Sequence, residues 1–355
     1  MKNAKVIVSL VVLVFVLGLG AWAYYHVKFS FANFRAQLQL ADWPKMAIGL
    51  ACIYLAYVIR GVRWALLLRH NKKVGLFSLV GTQVIGFTSV ALVGRVADLT
   101  RPYLTAKKSG MNLSSQIAVY IVERLFDAGS MALIFSSVIL LAPPGALPHP
   151  EIFKKVGYWG LAGTAAGALF LVAVRLAGGV VASFFEKTVG VLSKALGQAI
   201  GEKIRSFRTG LNTLRTPADL AICLGISLAM WGLITLAYVE TAKAFTASPQ
   251  LASLSLAQGL VLMVVSGGAS VFQLPVLGWF TQIGVVAAAL SSFFNVAPEP
   301  AAACSAMLLV VTFLGIIPVG LIWAQFEHVS LRKVTIESEH ADEVLATDES
   351  ANAVK

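Results

Sequence analysis

The 355-residue chain is 58% hydrophobic and only 13% charged, with a mean hydropathy of +0.80. So much apolar surface excludes a water-soluble domain of this length and marks an all-α, polytopic membrane protein. The net charge of +11 flanks apolar runs, where it reads as a topology signal and an attraction to anionic lipid, not as a nucleic-acid footprint.

Apolar runs recur at 6–25, 46–68, 114–141, 157–182, 218–242, 256–294 and 301–326. Each is long enough to cross a bilayer once, and the sixth is long enough to turn back on itself. The first follows Lys2 and Lys5. Ala21-Trp22-Ala23 mimics a cleavage site, but the run is long for a secretory signal and reads as a retained helix with a cytoplasmic N-terminus. The second run ends in Arg60, Arg63, Arg69, Lys72 and Lys73, so its end is also cytoplasmic. Arg60, Arg63 and Trp64 near that end read first as snorkelling interfacial anchors.

Val74 to Gly94 lies between this basic flank and another made of Arg95, Arg101, Lys107 and Lys108. A span here would put one basic flank outside, against the positive-inside rule. The piece also holds Gly75, Gly81 and Gly86. It reads as a re-entrant or broken helix that dips from the cytoplasm and returns through Arg95–Arg101. Such backbone survives at depth only inside protein or along a wet cavity. The competing reading is an ordinary short span.

The next run carries Glu123, Arg124 and Asp127 mid-helix. Glu123 lies roughly 14 Å and Asp127 roughly 20 Å along the axis from Ser114, near the centre of a ~30 Å hydrocarbon core. Each such charge costs about 2.5–3.5 kcal/mol to insert, so the group needs a compensating role. Arg124 and Asp127 are spaced to pair, whereas Glu123 and Asp127 share a face and repel. Arg60, Arg63, Arg95 or Arg101 would settle that face if the broken segment packed against this helix.

A Pro-rich turn from Pro143 to Pro150 follows, and the 157–182 run returns to a basic connection holding Lys187, Lys194, Lys203, Arg205, Arg208 and Arg215. Apolar residues from Phe185 to Leu214 recur every three or four positions. They predict one amphipathic helix, on the cytoplasmic leaflet or packed under the bundle. The 256–294 run is interrupted at Gly267-Gly268, Pro275 and Gly278. Parity makes it leave and re-enter on the outer side, as two spans or a second hairpin. Glu327 to Lys355 carries seven acids against three bases, which leaves +15 on the rest of the chain. This divides the chain into a membrane domain, 1–327, and an acidic cytoplasmic tail, 328–355, that reads as disordered. In each half two spans precede a Gly-interrupted hairpin and a further span. The hairpins enter from opposite faces, the pattern of an inverted-topology repeat.

Cys52, Cys223 and Cys304 lie within apolar runs without metal-ligand spacing and read as small core residues. No nucleophile elbow, phosphate loop, metal set or cofactor motif is present. Two readings of the charged cluster stand. In one it is a static salt-bridge network that holds the broken helix. In the other Arg95 and Arg101 bind an anionic headgroup such as a phosphate, a task suited to the planar guanidinium. Glu123 and Asp127 then orient the arginines, meet a cationic headgroup or carry a coupled proton. Gly267, Gly268 and Pro275 read as backbone breaks first, and as substrate contacts only by analogy with the first hairpin.

Three motifs carry a resemblance. Arg60-x-x-Arg63-Trp64-x-x-Leu67-Leu68, Gly94-Arg95-x-x-Asp98-x-x-Arg101-Pro102-Tyr103-Leu104 and Glu123-Arg124-Leu-x-Asp127 resemble the lysylphosphatidylglycerol synthase transmembrane-region family, the flippase-like membrane proteins. The likeness covers roughly residues 1–327 in span layout, with its specific residues between 60 and 127. It implies an inner-membrane protein that moves anionic, aminoacylated or glycosylated lipids between leaflets, and the basic flanks at Lys2, Lys5, Arg332 and Lys333 put both termini in the cytoplasm. Arg60, Arg63, Arg95, Asp98, Arg101, Glu123, Arg124 and Asp127 would hold the headgroup, and Gly267, Gly268, Pro275 and Gln282 would form the second hairpin's contribution.

The chain departs from the family at two places. Asp98 stands where Glu is common. Leu274-Pro275-Val276-Leu277-Gly278, followed by Thr281-Gln282, replaces a Pro-Gly-Gly-x-Gly run and its Glu. Fused members aminoacylate phosphatidylglycerol in a soluble domain; only a short tail follows the last span here, so that activity is not expected. The alternatives are a membrane-embedded glycosyltransferase, a small-anion secondary transporter and an accessory to a lipid-synthesis enzyme. Against the first, the outer loop before the second span offers only Asp42 as an acid.

Overall fold

A computed structural model gives the architecture of residues 29–69, 73–111, 113–143, 147, 150–191, 193–211, 216–270, 277–331 and 334. The expected first helix with Lys2, Lys5 and Trp22 lies outside the described residues. So do most of the Pro-rich turn, Pro275, Arg215, and Arg332 with the tail beyond Val334.

Among the described residues the chain is helical without strands. Six of the described helices are long and apolar enough to cross a membrane. After a short α1 (Phe31–Gln39), α2 (Trp43–Leu68) starts on Asp42, whose carboxylate accepts from Lys45 N at 3.3 Å. Helix α8 (Pro217–Lys243) opens on a reciprocal box. Thr216 Oγ1 accepts from Asp219 N at 3.1 Å, and Asp219 Oδ2 accepts from Thr216 N at 3.0 Å. The two helices run antiparallel. Asp42 N donates to Ala244 O at 2.8 Å at one end, and Arg69 pairs with Asp219 at the other.

Helix α3 (Leu76–Val93) lies between α2 and α12 (Ile316–Phe326), antiparallel to both. The Tyr57 and Phe87 rings meet at 5.1 Å, and Phe77 meets Trp323 at 4.6 Å. The segment expected to be broken is therefore a regular 18-residue helix. The break falls at its end, where Gly94 takes φ 94°, a conformation that side chains disfavour. A 3-10 turn, Arg95–Leu99, then leads into α4 (Thr100–Ser109), which returns beside α3. Lys108 Nζ, near the end of α4, donates to Ser78 O at 3.3 Å and Thr82 Oγ1 at 2.9 Å, and pairs with Glu327 at 2.5 Å. The α3–α4 hairpin thus starts and finishes at the Glu327 end of the bundle.

A second hairpin enters from the opposite, Asp42 end. Helix α9 (Leu256–Ala269) descends along α8, with Thr235 Oγ1 donating to Met263 Sδ at 3.6 Å. Helix α10 (Leu277–Phe294) climbs back until Phe293 meets Phe153 edge-on at 5.8 Å. The 256–294 run is interrupted as expected, with α9 ending at Ala269 and α10 starting at Leu277, although Gly267 and Gly268 themselves remain helical. They sit in the last turn of α9, where missing side chains interrupt no packing, and the helix runs on to Ala269.

The other apolar helices wrap these hairpins. Helix α5 (Leu113–Leu141) crosses the bundle, and α6 (Pro150–Gly190) bends at Ala177, which has non-helical φ −130° and ψ 36°. The predicted amphipathic helix from Phe185 to Leu214 is not continuous. The chain turns after Gly190, and α7 (Lys194–Leu211) folds back on α6 and α5, with Arg205 pairing to Glu186. Its Ile204 is buried among Trp64, Leu68, Val119 and Cys223, which settles α7 against the bundle. A π turn, Val310–Leu314, joins α11 (Pro298–Leu309) to α12, and Tyr54 Oη donates to Gly315 O at 2.8 Å there. All three cysteines are buried and free.

Helices α3 and α12 approach so closely that a Cβ on Gly320 would lie 2.6 Å from Thr88 Cβ. Gly320→Val is expected to destabilise the protein by about 1–3 kcal/mol through overpacking. Adding Thr88→Ala should recover part of the loss, read by thermal unfolding in detergent. Equal melting of wild type and Gly320→Val would remove this contact from the account.

Candidate functional site

Glu123 and Asp127 occupy one face of α5, both buried. Isolated, each would carry an unpaid desolvation penalty and repel the other. Helix α2 answers with Arg60 and Arg63, three residues apart and so on one face. Arg60 Nη1 donates to Glu123 Oε1 at 3.2 Å and to Asp127 Oδ2 at 3.1 Å. Arg63 Nη2 reaches Glu123 Oε1 at 2.8 Å, and its Nη1 reaches Asp127 Oδ1 at 2.7 Å and Ser227 Oγ of α8 at 2.8 Å. The interfacial reading of Arg60, Arg63 and Trp64 is therefore overturned. The three are buried because α5 presents two carboxylates opposite them, and a matched ion cluster outcompetes snorkelling.

The first hairpin adds a third cation. Arg101, in the first turn of α4, donates from Nη1 to Glu123 Oε2 at 3.1 Å and to Gln83 Oε1 of α3 at 3.1 Å. Its side chain passes over Gly86, where any Cβ would collide with it. Arg124 completes the group on the rim, with Nη2 3.6 Å from Asp127 Oδ2 and 3.9 Å from Glu123 Oε2. The aromatic rings interleave with the cations. The Arg60 and Arg101 guanidinium carbons lie 4.8 and 4.5 Å from the Phe87 ring centre, and those of Arg101 and Arg124 lie 4.9 and 5.1 Å from that of Tyr120. Such contacts favour the charged state of a desolvated guanidinium.

Four guanidiniums thus surround two carboxylates, an excess of two positive charges. Every carboxylate oxygen accepts at least one of these N–H groups. Donors, by contrast, are left over: Arg101 Nε and Nη2, Arg124 Nε and Nη2, and Gln83 Nε2 have no hydrogen-bond acceptor among the described residues. The Arg101 side chain is 0% exposed and that of Arg124 is 34% exposed, so the cluster opens on the Arg124 side. A donor set of guanidiniums suits an anion and not a metal ion. Among the described residues no group of His, Cys, Asp and Glu has metal-binding geometry.

The other predicted residues divide. Asp98 is half-buried on the 3-10 turn, within electrostatic range of Arg124. The backbone of Arg95 opens that turn, but its side chain lies outside the described residues, as does Pro275. Gly267 and Gly268 are exposed. Gln282 is buried and ties the two arms of the second hairpin, its Nε2 donating to Ser266 Oγ at 2.6 Å. Sequence reading missed Gln83, Phe87 and Ser227. Gln83 and Phe87 are four apart on an apolar helix, a signal available only once that face is known to meet arginines. Ser227 gives none.

Arg63→Leu is expected to cost about 3–5 kcal/mol, because it leaves buried carboxylates short of their nearest partners. Arg124→Gln, whose contacts to the two acids are longer at 3.6 and 3.9 Å, is expected to cost less than Arg63→Leu. Thermal or denaturant unfolding in detergent measures both, and similar losses would contradict this ranking.

No curated protein and no solved structure matches the chain. The profile of the lysylphosphatidylglycerol synthase TM region matches residues 6–320, most of its length. The chain belongs to that family, and is an integral membrane protein with a role in lipid metabolism or transport.

Proposed function

We propose that the protein is a flippase-like translocator that carries an anionic lipid headgroup, free or bearing an aminoacyl or glycosyl group, across the plasma (inner) membrane. The observation that carries this reading is the buried excess of guanidinium over carboxylate, open to one side at Arg124. Such a cluster shields a phosphate from hydrocarbon while the acyl chains stay in lipid. The hairpins packed from opposite ends supply elements that rearrange around a site near mid-depth. The excess of Lys and Arg at predicted inner ends favours cytoplasmic termini.

Transport fits the site better than catalysis. Each carboxylate oxygen is already occupied by guanidinium N–H groups, so neither acid is placed to act on a substrate bond or to take up a coupled proton. A lipid-synthesis enzyme in the same membrane would then supply the cargo.

The test is reconstitution into vesicles containing fluorescent phosphatidylglycerol, with a membrane-impermeant quencher reporting the inner-leaflet pool. Wild type should speed exchange between leaflets. The variant carrying Arg101→Ala and Glu123→Ala should lose about tenfold or more of that rate. Arg124→Gln, which leaves the buried pairs intact, should slow it as well. Wild-type rates in both folded variants would sink the assigned site, and no acceleration by wild type would sink translocation of this lipid.

A further inference from the structure

The charge balance and the unused donors carry the reading one step further, to the kind of headgroup; this rests on the translocator reading above. We infer that the cluster takes a dianion, a terminal phosphate monoester or a pyrophosphate substituted at both ends, in preference to a singly charged phosphodiester, a zwitterion or a cationic headgroup. The buried and rim side chains Arg60, Arg63, Arg101 and Arg124 exceed Glu123 and Asp127 by two charges. Asp98, on the adjoining turn, acts on Arg124 only at longer range and is not a member of these ion pairs.

A monoanion would leave one guanidinium in an apolar bundle without a counter-charge, which is expensive. A dianion closes the balance. Hydrogen bonding points the same way. The unused groups on Arg101, Arg124 and Gln83 are N–H donors, so the partner they lack is rich in acceptors. A phosphate monoester presents three terminal oxygens to such donors, one more than a diester, and the guanidinium fork matches two of them at once. An ammonium headgroup has no acceptor to offer and would meet only like charge.

The opening argues for a lipid as the source. Arg124 sits at the mouth, and Ile121, one turn away on α5, is 42% exposed, as expected of a flank that faces acyl chains. A free phosphate has the same head chemistry and no use for that flank.

The experiment uses the full chain in detergent at pH about 8.5, above the second phosphate ionisation near 6. Ligand-induced shifts in melting and direct titration compare phosphatidic acid with phosphatidylmethanol, whose tails are identical but whose phosphate is a singly charged diester. Inorganic phosphate, a dianion at this pH, forms the soluble arm. Phosphatidic acid should bind about tenfold or more tightly than phosphatidylmethanol. Arg124→Gln, which removes one rim charge, should bring that preference close to parity.

Equal affinity for the two lipids would overturn the dianion inference and leave translocation standing. Binding of inorganic phosphate alone would uphold the dianion and overturn the lipid source. No binding in any arm, with translocation of phosphatidylglycerol intact, would overturn the inference by itself. Loss of both binding and lipid movement would overturn the translocator reading too.

Discussion

Two carboxylates on one face of a hydrophobic helix set the terms for the whole bundle. Glu123 and Asp127 cannot face hydrocarbon ionised, and cannot face each other unaided. Their neutralisation needs cations from elsewhere in the chain. Arg60 and Arg63 fix the rotation of α2 against α5, and Arg63 also reaches Ser227, which fixes α8. Arg101 draws the returning arm of the first hairpin onto the same point and ties it to Gln83. Five segments far apart in sequence are thereby registered by one polar centre, something apolar contacts alone do loosely in a membrane, where lipid tails compete on equal terms with side chains.

The two hairpins share a geometry and differ in chemistry. The first ends in a positive-φ glycine and a 3-10 turn that sets Arg101 beside Glu123. The second is held by a neutral contact, Gln282 to Ser266. An amide supplies a hydrogen bond without a charge, so this arm closes without asking for a counter-ion. The electrostatics are therefore lopsided. Strong, charge-assisted contacts concentrate on the first hairpin, and the second is held by apolar packing and a neutral hydrogen bond.

Much of this was readable in the sequence. The length of the apolar runs gave the helical membrane class, and the charged triplet in α5 could belong only to a buried centre. The return of α4 beside α3 followed from the placement of basic residues on both flanks of one short apolar piece. Arg60 and Arg63 were misread for a definite reason. Arginines near a helix end snorkel unless a carboxylate stands opposite, and that depends on tertiary pairing. Gly267 and Gly268 marked the interruption to within a residue or two, since they occupy the last turn of α9. Gln83, Phe87 and Ser227 are uncharged and common on apolar helices, so only the fold gives them a role. The turn after Gly190 escaped because the apolar period continues on both sides of it.

A minimal salt-bridge network would need fewer cations than this one holds. Two arginines satisfy two carboxylates, and Arg60 with Arg63 already contact both acids. Burying Arg101 as well adds a desolvation penalty that the same carboxylates repay only in part, since Arg101 keeps unused N–H groups. Phe87 and Tyr120 soften that penalty through their ring faces without removing it. Stability alone would favour an apolar side chain at that position. On the translocator reading proposed above, an acceptor-rich, negatively charged headgroup would supply the missing partners, and Arg124 at the open edge is where it would first be met.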